Sequence, residues 1–178
     1  YELDELIGRG GMAEVHSGVD TRLGRTVAIK LLKSDLAADS SFEIRFRQEA
    51  QASARMAHPT IVRVYDAGDE VSIDGNGVER HLPYIVMELV RGEVLRDILR
   101  QRKLTQQEAI AYATGVLTAL EFSHAAGVIH RDIKPANIFI KRNGNPVLLD
   151  FGAAKNEMTS HSKSVTSLAT AGYAPFEQ

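Results

Sequence analysis

The hydrophobic period of this chain changes partway along, and that change limits the folds that can hold it. Up to about residue 90 the apolar residues come in short runs suited to strands. Tyr1 to Ile7 alternates loosely, Val15 to Val19 is short and apolar, and "RTVAIKLL" (25–32) is β-branched and continuous, as a buried strand would be. One helical stretch interrupts them: "SFEIRFRQEAQASARMAHP" (41–59), with Ser40 and Glu43 at capping-box spacing and Pro59 as the stop. "TIVRVYDAG" (60–68) and "LPYIVMELV" (82–90) read as two further strands, joined through the turn-rich "DGNG" at 74–77. After Gly92 the period becomes helical. "TQQEAIAYATGVLTALEFSHAAG" starts on a second capping box, Thr105 to Glu108, and ends at Gly127 in the C′ position. The expectation is an α+β protein with a β-rich lobe over 1–90, a mainly helical lobe over 91–178, and a hinge near 88–92.

Composition narrows the function. With 21 Lys and Arg against 23 Asp and Glu, the net charge is −2, and the cations are scattered, so there is no field of the kind nucleic-acid binding uses. The chain has no cysteine, which excludes disulfide scaffolds, thiolate metal sites and thiol nucleophiles. No apolar run approaches the ~18 residues of a membrane span.

Five stretches carry the chemistry. In "IGRGGMAEV" (7–15) the glycines at 8, 10 and 11 lie between two strands, where freed N–H groups suit phosphate oxygens; a dinucleotide fold would need the loop to lead into a helix. Lys30 sits inside "VAIKLL", where an ammonium needs a partner. On the following helix Phe42, Phe46, Glu49, Ala50 and Ser53 share one face, so Glu49 is a carboxylate in a largely apolar stripe. "HRDIKPAN" (130–137) places Asp132 to accept a proton, Lys134 to neutralise a phosphoryl group and Asn137 to offer a carbonyl oxygen to a divalent cation. In "LLDFG" (148–152) Asp150 follows an apolar run and suits a second ligand for the same metal. Each has an ordinary reading too: a glycine hairpin, a self-satisfied ion pair or snorkelling lysine, turn-forming Asp and Asn. Together, in one order, they match a known set.

With these motifs, and with "YELDELIGRGGMAEVH", "RFRQEAQ" and "LPYIVMELV", the chain resembles the eukaryotic-type serine/threonine protein kinases from Tyr1 to Gln178. Its N-terminal half is most similar to the bacterial branch whose members often carry extracellular PASTA repeats. The resemblance implies a bilobal fold, with an antiparallel N-terminal sheet and one helix, and a mainly α C-terminal lobe. It implies ATP with Mg²⁺ or Mn²⁺ as cofactors and protein Ser/Thr hydroxyls as acceptors. It implies that Ile7, Gly8, Gly10, Gly11 and Val15 cover the nucleotide, that Lys30 holds the α and β phosphates positioned by Glu49, and that Met87 is the gatekeeper. Glu88 and Val90 would bind adenine through their backbones, with Val15, Ala28 and Ile140 sandwiching the ring. Asp132 would be the catalytic base, Lys134 the phosphoryl-stabilising cation, and Asn137 and Asp150 the metal ligands. Lys134, two residues after Asp132, and Thr170, which would orient the substrate hydroxyl, are features of Ser/Thr rather than Tyr specificity.

The resemblance also implies regulation. Thr166, with Ser164 or Ser167 beside it, is the expected autophosphorylation site in "TSHSKSVTSLAT" (159–170), and Arg131 is the expected partner of the phosphate. A homodimer is expected through the back of the β-rich lobe, at Arg22, Leu23 and Asp66. The expected location is cytoplasmic, compatible with the cytoplasmic domain of a membrane-anchored kinase. Two departures stand out: Ala13 replaces the third loop glycine, which should stiffen the loop, and Phe176 intervenes between Pro175 and Glu177. The family's helices beyond the activation segment are not in this sequence, so the C-terminal lobe is expected to be truncated, with Ile110, Leu117 and Leu120 short of partners and activity impaired in this piece alone. A pseudokinase or scaffold keeps the fold without transfer, but Lys30, Glu49, Asp132, Asn137 and Asp150 are all present. A small-molecule phosphotransferase would share the loop and metal ligands but leave the hydroxyl-rich segment unexplained.

Overall fold

The computed structural model describes residues 1–37, 39–73, 79–150 and 155–156. The phosphosite candidates Thr166, Ser164 and Ser167, the hydroxyl-orienting Thr170, Glu177 and the "DGNG" turn lie outside them. The fold is α+β, and the chain divides into two compact units: Tyr1–Ala54 with Arg63–Leu89, and Arg55–Val62 with Val90–Gln178.

The first unit is an antiparallel five-stranded sheet with one helix. Strands β1 (Glu2–Arg9), β2 (Ala13–Asp20) and β3 (Arg25–Leu32) precede α1 (Ser40–Ala54), and β4 (Val64–Ile73) and β5 (Glu79–Glu88) follow it. The strand order is β1-β2-β3-β5-β4. Cross-strand partners lie on the same face of a sheet, and residues two apart share that face. Ala13 is opposite Leu32, Val15 opposite Lys30, Lys30 opposite Ile85, and Ala28 opposite Met87. This one face therefore carries Ala13, Val15, Ala28, Lys30, Leu32, Ile85 and Met87. The α1 stripe covers part of it: Ala13, Leu32, Phe46, Ala50 and Ile85 form a buried cluster, with Phe42, Val64 and Met87 packed against it. The other face buries Val27, Ile29 and Val86, with Leu31, Tyr65 and Tyr84 around them. Asp20 closes the β2–β3 turn by accepting from the N–H groups of Arg22 and Leu23 and from Arg25 Nε, whose guanidinium lies 3.8 Å above the Tyr65 ring. Leu23 is exposed at that turn, and Asp66 accepts from the Tyr1 hydroxyl at 2.7 Å.

Two sequence expectations are corrected here. The cap of α1 is Asp39, not Ser40. The Asp39 side chain accepts from Ser41 N–H at 2.8 Å and its carbonyl from Phe42 N–H at 3.0 Å. Glu43 reaches forward instead, to Arg47 one turn on, and Arg47 continues to Asp69 on β4 at 2.7 Å. The run 60–68 is not one strand either. β4 begins at Val64, while Leu148 N–H donates to Thr60 C=O and Val62 N–H to Leu148 C=O, a parallel bridge inside the second unit.

The second unit contains α2 (Leu95–Gln101) and α3 (Gln106–Ala125). It also has a three-stranded sheet in the order β6 (Gly92–Val94), β8 (Ile138–Lys141), β9 (Pro146–Leu148), and the short pair β7 (Val128–Ile129) with β10 (Lys155–Asn156). Thr105 caps α3 with the full capping box to Glu108, whose carboxyl is held down at about 2, first by Arg102. Gly127 has φ +72°, as the residue after a helix end needs. The helix packs on β9 through Gly115, where a Cβ would lie 2.3 Å from Pro146 Cγ. Tyr112, Ala119 and Ser123 are buried, whereas Ile110 and Leu117 are exposed. Among the described residues no helix is long and apolar enough to cross a membrane.

Candidate active site

In the first unit, the site is built on the α1-facing side of the sheet. Ile7 is exposed at the end of β1, and Gly8 pairs with Val15 across the hairpin. The loop between them turns tightly, with Gly10 N–H donating to Ala13 C=O at 2.9 Å. Gly11 is exposed, with open space where a Cβ would be. Lys30 projects toward α1, and its Nζ donates to Glu49 Oε1 at 2.5 Å, the two side chains being 12% and 5% exposed. The pair exists because two periods agree: β3 turns every second residue to the helix, and α1 turns Phe46, Glu49, Ala50 and Ser53 to the sheet. Ala28 is buried beside half-buried Met87, and Glu88, the last residue of β5, donates its N–H to Arg63 C=O at 2.8 Å.

In the second unit, residues 130–137 form a loop that ends in a 3₁₀ turn, Pro135–Asn137. Proline suits the first position of such a turn because its missing N–H would have had no partner there. Lys134 Nζ lies 2.6 Å from Asp132 Oδ2. Asn137, 9% exposed, donates through Nδ2 to Asp132 C=O at 2.8 Å and to Asp132 Oδ2 at 3.0 Å. One carboxylate oxygen, Oδ2, is thus gripped by an ammonium and an amide. Leu149 N–H donates to Asn137 C=O at 2.8 Å, which brings Asp150 in one residue later. Asp150 is exposed, with φ +57°, and Arg131 has φ +66°. Non-glycine residues adopt this left-handed region at a cost, which the surrounding hydrogen bonds offset. Val90 is half-buried, and Ile140 is buried on β8 opposite Glu93 and Pro146.

His130 is a residue the sequence did not single out. It is 1% exposed; Asp132 N–H donates to its Nδ1 at 3.3 Å, so Nε2 carries the proton and donates to Leu149 C=O at 3.0 Å. Burial holds its pKa below the ordinary histidine value, consistent with a neutral ring. One imidazole therefore ties the backbone at Asp132 to the segment before Asp150. The only sequence signal was its place between Val128-Ile129 and Asp132.

The donor set fits a hard divalent cation. With Nδ2 committed to Asp132, the Asn137 amide turns Oδ1 away from it, and Asp150 follows Leu149, whose N–H is bonded to Asn137 C=O; Asn137 Oδ1 and the Asp150 carboxylate are oxygen ligands of the kind Mg²⁺ and Mn²⁺ take.

Comparison with known proteins identifies the family to which a chain with this fold and these two clusters belongs. The chain matches the family "Protein kinase domain" over residues 1–178 and belongs to it. It is 53% identical over 156 residues to a probable serine/threonine-protein kinase PknB of Bifidobacterium longum, covering 87% of this chain and 23% of that protein. The same identity and length relate it to a probable serine/threonine-protein kinase of Streptomyces coelicolor, of which 22% is covered. It is 46% identical over 181 residues to the serine/threonine-protein kinase PknB of Mycobacterium leprae, covering 100% of this chain and 28% of that one. The chain spans less than a third of the length of these relatives.

Proposed function

We propose that this chain is the catalytic part of an ATP-dependent protein serine/threonine kinase. The observation that carries the reading is the Asp132 carboxylate, whose Oδ2 is held by both Lys134 and Asn137. In the reaction, a Ser or Thr oxygen attacks the γ-phosphorus as its proton passes to Asp132. The bond from that phosphorus to the β–γ bridging oxygen breaks, and ADP leaves. Lys134 neutralises charge building on the phosphoryl oxygens. Lys30, kept extended by Glu49, holds the α and β phosphates. Gly8, Gly10 and Gly11 supply close backbone approach, and Ile7, Val15, Ala28, Met87, Glu88, Val90 and Ile140 receive the adenine. Asn137 and Asp150 would hold Mg²⁺ or Mn²⁺, which neutralises phosphate charge when bound. A cytoplasmic location, including that of the cytoplasmic domain of a membrane-anchored kinase, belongs to this reading. The relatives are named serine/threonine-protein kinases, which supports the acceptor class.

Autophosphorylation at Thr166, or Ser164 or Ser167, and orientation of the acceptor by Thr170 belong to the same reading, as does pairing of two copies through Arg22, Leu23 and Asp66. The test is transfer of labelled γ-phosphate by the full-length protein to a basic protein substrate and to a panel of small-molecule alcohols. Labelled Ser and Thr, lost in Asp132→Asn, are expected; transfer to the alcohols alone would overturn the acceptor class. Phosphopeptide mapping after incubation with MgATP checks 155–170, and sedimentation of Leu23→Asp against a dimeric parent checks the pairing.

A further inference from the structure

At the place where a third glycine would complete the phosphate loop, the chain has Ala13, and its side chain is not on the loop's surface. Ala13 is 5% exposed and belongs to the cluster of Leu32, Ile85, Phe46 and Ala50. The last two lie on α1, three residues before Glu49 and one after it. Met12, at the tip of the loop, packs against the same cluster, as do Leu36 and Phe42. The backbone adds two ties: Met12 C=O accepts from Lys33 N–H at 3.0 Å, just past β3, and Ala13 C=O accepts from Gly10 N–H. A flap that opens and closes independently of the core would leave Met12 and Ala13 exposed. Here the tip of the loop is part of the core that seats the helix.

We propose that Ala13, with Met12 beside it, is a positioning residue that couples the phosphate loop to α1, so that ordering the loop also holds Glu49 against Lys30. Close-packed side chains settle into discrete arrangements rather than deforming smoothly, so a shift of α1 disturbs the cluster that Ala13 shares with Phe46 and Ala50. Coupling of this kind is reciprocal: a nucleotide that orders the loop steadies the helix, and a displaced helix weakens nucleotide binding. The kinase reading enters only as the identity of the ligand in the loop.

The experiment is amide hydrogen exchange over residues 46–53 of the full-length protein, free and with MgADP. Ala13→Gly and Met12→Ala remove the packing; Met12→Leu keeps the volume. Val19→Gly, on the same strand with an exposed side chain, imposes the backbone cost of glycine alone. In the free protein, Ala13→Gly and Met12→Ala should speed exchange of these amides about fivefold or more, with Met12→Leu and Val19→Gly near the parent. MgADP should slow exchange of α1 in the parent, and in Ala13→Gly should still bind, about tenfold more weakly, with most of that slowing lost. Unchanged exchange in both packing variants, or an equal change in Val19→Gly, overturns the coupling. A parent that binds no MgADP overturns the kinase reading instead, and exchange in the free protein still decides whether loop and helix move together.

Discussion

Each of the two units holds a lysine against a carboxylate, and the two pairs are built in opposite ways. Lys30 and Glu49 are 19 residues apart, on different elements, and nearly buried. Their meeting depends on the packing of α1 on the sheet, through Phe46 and Ala50. Lys134 and Asp132 are two residues apart on one loop, about a fifth exposed, and meet because a 3₁₀ turn and the Asn137 amide shape the backbone around them. The first pair is a product of tertiary structure, and it is lost if the helix moves. The second is nearly local, and it survives as long as its loop does. A device that switches activity through helix position would therefore act on Lys30 and Glu49 and leave the Asp132 cluster assembled.

The largest expected effect separates the pairs directly. Lys30→Met should abolish transfer and cost about 3 kcal/mol or more of stability, because it takes the ammonium away from a carboxylate that is 5% exposed. Lys134→Met, at a more solvated pair, should cost under about 1 kcal/mol on denaturant unfolding while transfer falls. Equal stability losses would erase the distinction. Next comes Asp132→Asn, expected to lower the transfer rate at least ~10²-fold with the unfolding midpoint unchanged. An unchanged rate would remove Asp132 from its role.

A pH series sharpens the comparison further, since in the second unit a buried histidine accepts from the Asp132 N–H. His130 has its folded pKa depressed, so the unfolded chain binds the proton first as pH falls. Stability contributed by neutral His130 is fully present above the ordinary value of about 6.5 and is lost as pH drops below it toward the folded pKa. Unfolding measured from pH 7.5 to 5 should show that loss in the parent and a shallower slope in His130→Gln. The smallest effect tests a feature belonging to neither pair: Thr105→Ala should cost about 1 kcal/mol through loss of the α3 cap, with transfer per folded molecule unchanged.

What could be read from the sequence follows the same division between local and tertiary. The Thr105–Glu108 box and the Gly127 stop were legible because a cap is decided within four residues. The face of α1 that meets the sheet was legible from its period. Asp39 was not, because Ser40 and Glu43 satisfied the same spacing one residue on, and only the backbone decides which carbonyl starts the helix. Thr60 to Val62 read as the start of a strand because a β-branched run looks the same whether it joins a sheet or makes a single bridge to Leu148. His130 and Ala13 carry no local mark: what distinguishes them is what surrounds them, Leu149 in one case and a cluster shared by the sheet and α1 in the other.

The bridge from Thr60 and Val62 to Leu148 has a topological consequence. After α1 the backbone leaves the first unit, lends eight residues, Arg55–Val62, to the second, and returns to finish the sheet with β4 and β5. No single cut can separate the units as autonomous fragments. A nick after Leu89 would yield one piece carrying a segment that belongs to the other, so split halves would have to reassemble, with the first donating Thr60 to Val62 alongside Leu148. Complementation between such halves is the expected behaviour, and neither half by itself should reproduce the packing it has in the intact chain.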